Sequence, residues 1–217
     1  MKRSRKSGIP YWAYWGRKGN QPVRRTDAPR KVHFEPLEQR VLLSGDLNYA
    51  AAQGVPLDVL LRLNEGNLEV LDNATRWVLA SQALAETDRV VITGSEPGDA
   101  VTVDYATPFD TPVFFDGGEQ SASAGDLLRI LSDAGKTVKI GAGDGGNIAV
   151  SNVEEIFGGT GADTLIGPDA DATWTVTDAG AGSVAGVAFS GFENLSGGSG
   201  AVGLTPLKVT LRVRAAR

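Results

Sequence analysis

The sequence contains no cysteine, one histidine and one methionine among its 217 residues. Without cysteine there is no disulfide framework, no thiolate metal site and no cysteine nucleophile. The only histidine, His33, lies in the basic N-terminal region, so a Ser-His-Asp triad or a histidine-bearing zinc site would require that region to fold onto the body. No apolar run approaches about 18 residues, so we expect no transmembrane helix, and no apolar signal-peptide core follows the basic start.

Charge is strongly segregated along the chain. Residues 1–40 contain 11 Lys and Arg against 3 Asp and Glu, a net charge of +8, and residues 204–217 contain 4 against none. The stretch between them contains 6 against 23, a net charge of −17. Such a body attracts divalent cations and repels nucleic acid, so we expect no nucleic acid to bind it. The basic N-terminal region alone could contact phosphate or anionic lipid.

Short apolar segments, separated by Gly, Asp, Ser and Pro, dominate the chain after residue 67. They recur every ~8 to 15 residues without a helical period, which predicts an all-β fold. The alternation at Val101, Val103 and Tyr105 is that of a half-buried strand. Gly-Asp pairs at residues 98–99, 125–126 and 143–144 favour stacked parallel strands over a sandwich. We therefore predict a parallel β-solenoid, of the β-helix or β-roll type, with many tight turns.

One glycine-rich stretch, residues 158–166, fits the nonapeptide G-G-x-G-x-D-x-U-x, where U is a large apolar residue. Its glycines would let the backbone adopt positive φ and turn carbonyl oxygens inward, and Asp163 would add the charge that a hard cation prefers. We therefore predict Gly158, Thr160 and Asp163 as calcium ligands. Calcium takes roughly 6 to 8 oxygens, so a neighbouring turn would have to supply the rest.

A second glycine-rich stretch begins at Gly197, 39 residues after Gly158. Each copy follows an acidic and apolar lead-in, residues 154–157 and 192–195, so the two form an internal repeat. The second copy has Val202 where the aspartate is expected. Two glycine-rich turns without any metal therefore remain the alternative.

The nonapeptide, the lead-in with residues 192–200 and the strand-like segment 173–177 resemble the repeat modules of large bacterial adhesins and RTX (haemolysin-type) proteins. Residues 116–118 followed by 125–127 look like a degenerate copy with an insertion. This resemblance implies calcium binding and a secreted or cell-surface location in bacteria.

The N-terminal region divides into a leader and a short motif. Residues 1–32 are basic, with aromatic residues at 11–15, and are predicted to be disordered because few apolar residues offset the ordering entropy. Residues 33–47 resemble the L-E-P-R-x-L-L motif found near the N-terminus of very large bacterial surface proteins, with Gln39 in place of the usual proline. The resemblance implies an export or processing role for Phe34, Leu37, Glu38, Arg40, Leu42, Leu43 and Ser44.

The remaining boundaries follow from composition. Residues 48–66 are predicted to be a linker or a capping segment, and residues 67–203 the solenoid. Residues 204–217 are basic and contain neither Gly nor Asp. This tail could be a capping strand or the product of a truncated or shifted reading frame.

We expect a non-enzymatic, monomeric, exported surface or adhesin-like protein that binds an unknown surface or matrix partner, and we predict no catalytic residue. One alternative is a β-helix enzyme acting on polysaccharide, in which Asp99, Asp104, Asp116 and Asp126 would converge on one groove. The adjacent pair Glu154 and Glu155 would not suit that chemistry, since neighbouring residues on a strand point to opposite faces. The other alternative is a basic leader that binds nucleic acid or anionic lipid.

Overall fold

A computed structural model describes residues 45–95, 98–118, 125–141, 143, 145–206 and 213–214. For residues 204–206 and 213–214 it describes the backbone alone. Strands are almost the only regular secondary structure in these ranges, which otherwise contain one short 3-10 helix at Leu84–Glu86, and this confirms the all-β prediction. The leader at 1–32 and the motif residues between 34 and 44 lie outside the described residues.

Eighteen strands occur within the described ranges, and most of them are short. In chain order they are β1 Gly45–Ala50, β2 Asp58–Asn64, β3 Asn67–Asp72, β4 Val78–Ala83, β5 Thr87–Thr93, β6 Ala100–Asp104, β7 Val113–Asp116, β8 Leu127–Leu131, β9 Thr137–Ile140, β10 Ile148–Ser151, β11 Glu155–Phe157, β12 Thr164–Ile166, β13 Ala172–Asp178, β14 Ala181–Val184, β15 Val187–Ser190, β16 Asn194–Ser196, β17 Val202–Pro206 and β18 Val213–Arg214.

The strands form two sheets, and neither closes on itself. The eight-stranded sheet has the order β1-β5-β7-β10-β9-β12-β16-β18, and the ten-stranded sheet has the order β17-β13-β14-β15-β11-β8-β6-β2-β3-β4. The chain crosses from one sheet to the other at most connections, so that successive strands in a sheet are joined through the opposite sheet and pair in parallel. Antiparallel pairing is found in two meanders of the ten-stranded sheet, β2-β3-β4 and β13-β14-β15.

The boundaries predicted from composition can be placed on these strands. Residues 48–66 contain the end of β1 and all of β2, both of which are strands of the main sheets. Residues 67–203 run from β3 to the start of β17, and the basic tail contains the end of β17 and the short β18.

One pair of neighbouring parallel strands is joined directly. β10 lies between β7 and β9, although β9 precedes it in the chain. Parallel neighbours usually need a crossover of a dozen or more residues. Here residues 141–147 suffice because β9 is only four residues long and Gly141, Gly143 and Gly145 take φ values of +100°, +135° and +139°.

A continuous hydrophobic core contains inward-facing residues of both sheets. Val101, Val103 and Tyr105 are all buried, as their alternation predicted. Near the C-terminal end of the described chain, the rings of Trp174, Phe189 and Phe192 pack edge to face, with centroid distances of 5.6 and 6.4 Å. Such contacts add to the stabilisation from apolar burial.

Polar side chains also tie neighbouring strands together. Lys139 of β9 donates a hydrogen bond of 2.8 Å to Oδ2 of Asp169, which follows β12. Asp169 Oδ1 accepts hydrogen bonds of 3.1 Å from the amide and the hydroxyl of Ser199. The Lys139 contact, followed by those from Ser199, lowers the pKa of Asp169 from its ordinary value of 3.8 to about 2.

This lowered pKa predicts an acid dependence of stability. Because the folded chain holds Asp169 ionised below the pKa it has when unfolded, the group stabilises the fold above about pH 4, and this stabilisation is lost as the pH falls from about 4 to about 2. We expect Asp169→Asn to lower the free energy of unfolding at pH 7, and the difference from wild type to shrink in that acidic window. Chemical denaturation at a series of pH values measures this difference, and a pH-independent gap would contradict the assignment.

Candidate functional site

The nonapeptide forms the corner between β11 and β12, and its aspartate points into the protein. Asp163 is 0% exposed. Its Oδ2 accepts the backbone N–H of Gly159 in the same corner, and its Oδ1 accepts the backbone N–H of Lys136 in the neighbouring strand connection, each at 2.6 Å. Both carboxylate oxygens are therefore engaged by amides.

The same arrangement occurs at Asp99, which precedes β6 and is also 0% exposed. Its Oδ2 accepts the N–H of Ser95, four residues earlier, and its Oδ1 accepts the N–H of Leu57, each at 2.5 Å. Asp126, which precedes β8, accepts the N–H of Asp99 at 2.7 Å. One structural solution is thus used at three corners.

Two glutamates extend the pattern. Glu154 Oε2 accepts the N–H of Asp126 at 2.6 Å, and Glu193 Oε2 accepts the N–H of Asp163 at 2.8 Å. We call Asp99, Asp126 and Glu154 the first carboxylate column, and Asp163 and Glu193 the second. Within each column, every acid after the first accepts the amide of the acid that lies 27 to 30 residues before it in the chain.

The columns solve a hydrogen-bonding problem that corners create. A buried amide that lies just before a strand has no ladder partner, and leaving it unpaired costs about 1–3 kcal/mol. A carboxylate is the strongest acceptor available for such an amide, because a charge-assisted hydrogen bond is shorter and stronger than a neutral one. The acids that precede the strands therefore act as hydrogen-bond acceptors for backbone amides.

The glycines of the nonapeptide have a different role from the one predicted. Positive φ was expected at Gly158, Gly159 and Gly161, but none of the three is among the positive-φ glycines. They are required because there is no space for a side chain. A Cβ on Gly158 would lie 2.0 Å from Gly191 O, one on Gly159 would lie 2.4 Å from Ser132 O, and one on Gly161 would lie 2.5 Å from Ala134 C.

The internal repeats predicted from the sequence correspond to equivalent corners. Glu154 and Glu193, which are 39 residues apart, perform the same role in the two columns. A Cβ on Gly117 would lie 2.2 Å from Asp126 Oδ2, which is the arrangement expected for the degenerate copy with an insertion. In the last copy, Val202 occupies the place of the aspartate, since its Cγ2 would lie 2.4 Å from a Cβ on Gly197.

The described geometry fits amide capping by Asp163 and does not show a ready calcium ligand. No part of this side chain reaches solvent, and each oxygen already accepts an amide proton. Burial raises the pKa of Asp163 despite these two hydrogen bonds, and the charge of Glu193 adds to the rise. Among the described residues, no three His, Cys, Asp or Glu side chains are grouped so that they could hold a metal ion. Calcium binding at Gly158, Thr160 and Asp163 stays a prediction.

The four aspartates considered for glycoside chemistry occupy different environments. Asp99 and Asp126 are buried in the first carboxylate column, although isolated acids of this kind are more often solvated turn residues. Asp104 accepts the N–H of Ala106 at 2.8 Å, and Asp116 accepts hydrogen bonds from Gly118 N and Asn152 Nδ2. A signal for the buried pair was present in the sequence, because both acids directly precede a strand and directly follow a glycine.

A groove of about 630 Å³ opens beside the end of β8 and the nonapeptide corner. The Arg129 guanidinium lies 4.9 Å from the centroid of the Phe157 ring, and Lys136 Nζ lies 3.8 Å from that of Tyr105. Leu131, also in the lining, is 46% exposed. The Tyr105 hydroxyl is buried and has no hydrogen-bond partner, and burial, with the charge of Asp110, raises its pKa. Sequence reasoning did not identify this groove, because its residues come from three separate segments.

Comparison with protein-family models, curated proteins and solved structures finds no match to this chain. In the part of the chain that the structure describes, no helix has the length and apolar character needed to span a membrane.

The tight packing of the nonapeptide glycines can be tested by adding one methyl group. Gly158→Ala should destabilise the fold by about 1–3 kcal/mol, because the methyl group would overlap backbone atoms of Gly191. Gly45→Ala is the matched control, since a Cβ there has no atom within 4 Å and the φ is not positive. Chemical denaturation measures both changes. Equal stability of the two variants would show that Gly158 tolerates a side chain.

Asp163→Asn separates amide capping from calcium binding. In chelator, we expect the variant to lose about 1–3 kcal/mol, because its amide offers one acceptor oxygen where the carboxylate uses two. The calcium hypothesis predicts in addition that calcium at one to ten times Kd stabilises the wild type by about 0.4–1.4 kcal/mol, and that the variant loses this increment. Thermal unfolding with calcium or chelator measures both effects. Asp169→Asn is the control, which should be less stable throughout but retain any calcium increment.

Proposed function

We propose that this chain is a non-enzymatic, adhesin-like part of an exported bacterial surface protein, and that its two sheets are opposite faces of a parallel β-solenoid. The observation that carries the proposal is the recurrence of the carboxylate columns. Acid-capped corners recur before β6, β8 and β11 in one sheet and before β12 and β16 in the other, at intervals of 27 to 30 residues within each column. Repetition of one small unit in one direction is how solenoids build long binding surfaces.

Export is proposed from the motif that precedes the first strand. Phe34, Leu37, Glu38, Arg40, Leu42, Leu43 and Ser44 carry the resemblance to the L-E-P-R-x-L-L motif of large surface proteins. The acidic, cysteine-free body is compatible with a calcium-rich extracellular medium. A secreted or envelope location follows from this resemblance.

The groove beside β8 is the proposed contact site for the surface partner. It combines the apolar groups of Phe157 and Leu131, the hydroxyls of Ser132 and Thr160, and the cation of Arg129. In the described part of the chain, the exposed Arg129 forms no ion pair, although the body as a whole is acidic. Apolar faces, hydroxyls and an unpaired cation suit a polysaccharide that carries carboxylates.

The environments of the acids support binding in preference to hydrolysis. Glycoside hydrolysis uses two carboxyl groups that flank the scissile bond, within about 5 to 10 Å of each other. Asp99 and Asp126 are buried and hydrogen bonded to backbone amides, so neither is available to a substrate. The groove contains Asp104 and Asp133, and Asp133 accepts a hydrogen bond of 2.9 Å from the Thr160 hydroxyl.

One experiment tests both the binding role and the enzymatic alternative. We expect the full chain to bind an immobilised uronic-acid polysaccharide, and Arg129→Ala to weaken binding about 10- to 100-fold, since hydrogen bonds to a charged group contribute about 1.5–3 kcal/mol. Arg89→Ala is the matched control, because Arg89 is an exposed arginine that lies outside the groove. Surface plasmon resonance measures the affinities. New reducing ends in the same samples would show hydrolysis of the polysaccharide and favour the enzymatic alternative. Equal binding by both variants would exclude the groove as the contact site.

A further inference from the structure

The groove beside β8 extends across three neighbouring strands. Its lining residues lie within 104–108, 129–136 and 157–160, at the ends of β6, β8 and β11. These strands are neighbours in the ten-stranded sheet and pair in parallel. Because neighbouring strands are about 4.8 Å apart, the groove spans about 10 Å of the sheet. An extended ligand that follows the groove therefore runs across the strands.

The depth of the groove comes from the connections that follow these strands. We call residues 105–112 the first corner, 132–136 the middle corner and 158–163 the last corner, and they contain eight, five and six residues. The middle corner is the shortest, so it projects least from the strand ends. The last corner packs directly on it, since Thr160 donates its N–H to Ser132 O at 2.9 Å. The depth therefore depends on how the two flanking corners are held against the middle one.

Lys136, in the middle corner, contacts both flanking corners. Its N–H donates to Asp163 Oδ1 in the last corner at 2.6 Å, and its carbonyl oxygen accepts the N–H of Thr164 at 2.8 Å. Its Nζ lies 3.8 Å from the centroid of the Tyr105 ring in the first corner. A cation over an aromatic face is attracted by the quadrupole of the ring. One residue therefore ties three successive corners together.

The position of the Lys136 ammonium differs from that of a comparably buried lysine. Lys136 and Lys139 are both 8% exposed. Lys139 is paired with Asp169, whereas Lys136 forms no ion pair within the described ranges. Burying a cation without a carboxylate is costly, so the contact with the Tyr105 ring compensates part of that cost. Phe109 stacks on the same ring at 4.4 Å and leaves only the opposite face for Lys136, which keeps the first corner in place.

Asp163 fixes the other side of the groove without lining it. Its carboxylate accepts the N–H of Gly159, which lines the groove, as well as that of Lys136. Phe157 directly precedes the last corner, and the Arg129 guanidinium lies 4.9 Å from the centroid of its ring. The position of the last corner therefore determines where Phe157 and the Arg129 cation are presented to a ligand.

We propose that Lys136 and Asp163 are positioning residues of this groove, which set its depth and so select an extended acidic polysaccharide that lies across β6, β8 and β11. Both side chains are buried, so they act through the corners that they hold and leave Arg129 and Phe157 to contact the ligand. This inference rests on the proposed function of the groove and names the residues that determine its shape.

The first test measures binding of the full chain to immobilised polygalacturonate, a polysaccharide of uronic acid, by surface plasmon resonance. Lys136→Met keeps a side chain of similar length but removes the cation, and it should raise Kd about 3- to 30-fold, whereas Lys136→Arg, which can again place a cation over Tyr105, should bind within about twofold of wild type. Lys139→Met is the matched control, since Lys139 is equally buried but lies outside the groove. An equal Kd for Lys136→Met and Lys139→Met overturns the proposal.

A second pair of variants separates positioning from general stability. Asp163→Asn and Asp99→Asn each remove a fully buried carboxylate that accepts two backbone amides. The amides held by Asp99 belong to Leu57 and Ser95, neither of which lines the groove. We expect both variants to be less stable than wild type but only Asp163→Asn to bind polygalacturonate more weakly, by about tenfold. The same change in Kd for both variants overturns the proposal.

Hydrogen–deuterium exchange tests the positioning role without a ligand. In Lys136→Met we expect faster amide exchange in segments 105–108 and 158–160, and in Lys139→Met we expect wild-type rates there. Wild-type rates in Lys136→Met overturn the positioning role, even where Arg129→Ala still weakens binding and the proposed function stands. Faster exchange in a chain that binds no polygalacturonate overturns the proposed function and the selection of the polysaccharide, but keeps Lys136 as the residue that holds the corners.

Discussion

The carboxylate that accepts a backbone amide at a strand corner is the interaction on which the described fold depends. Each strand of a parallel arrangement must be entered through a corner, and the amides at that corner have no ladder partner. Asp99, Asp126 and Asp163 each supply the missing acceptor from a buried position. The backbone amide of each such acid in turn donates to the carboxylate of the next acid in its column, so neighbouring corners are joined by hydrogen bonds that fix their register.

This arrangement explains why a chain so rich in acids can bury several of them. An isolated buried carboxylate would be costly, since its charge leaves water without compensation. Asp99 avoids that cost with two short amide contacts, and Asp163 does the same, although burial still raises its pKa. The glycines beside these acids leave the space that the carboxylates occupy. A corner of this kind therefore needs both the glycine and the acid.

The sequence predicted the all-β fold and the strands at residues 101–105 and 173–177, because alternating apolar residues and the glycine-rich turns between them depend on local structure alone. It also predicted the 39-residue repeat, since Glu154 and Glu193 cap equivalent corners. It did not predict the partners of Asp163, since Lys136 is 27 residues away and contributes a backbone atom that any residue would carry. The role of the nonapeptide glycines was wrong for the same reason: their neighbours come from other segments, and a local pattern cannot distinguish a steric need from a conformational one.

The placement of β10 between β7 and β9 constrains how the chain can fold. A parallel array built strictly in chain order could grow from its N-terminal end, each new strand docking on the one just completed. Here β9 cannot dock directly on β7, because the position beside β7 belongs to β10, which is made later. β9 can therefore take its place in this order only after residues 148–151 have been added to the chain. The position of β10 thus constrains the sequence of events in folding as well as the final sheet order.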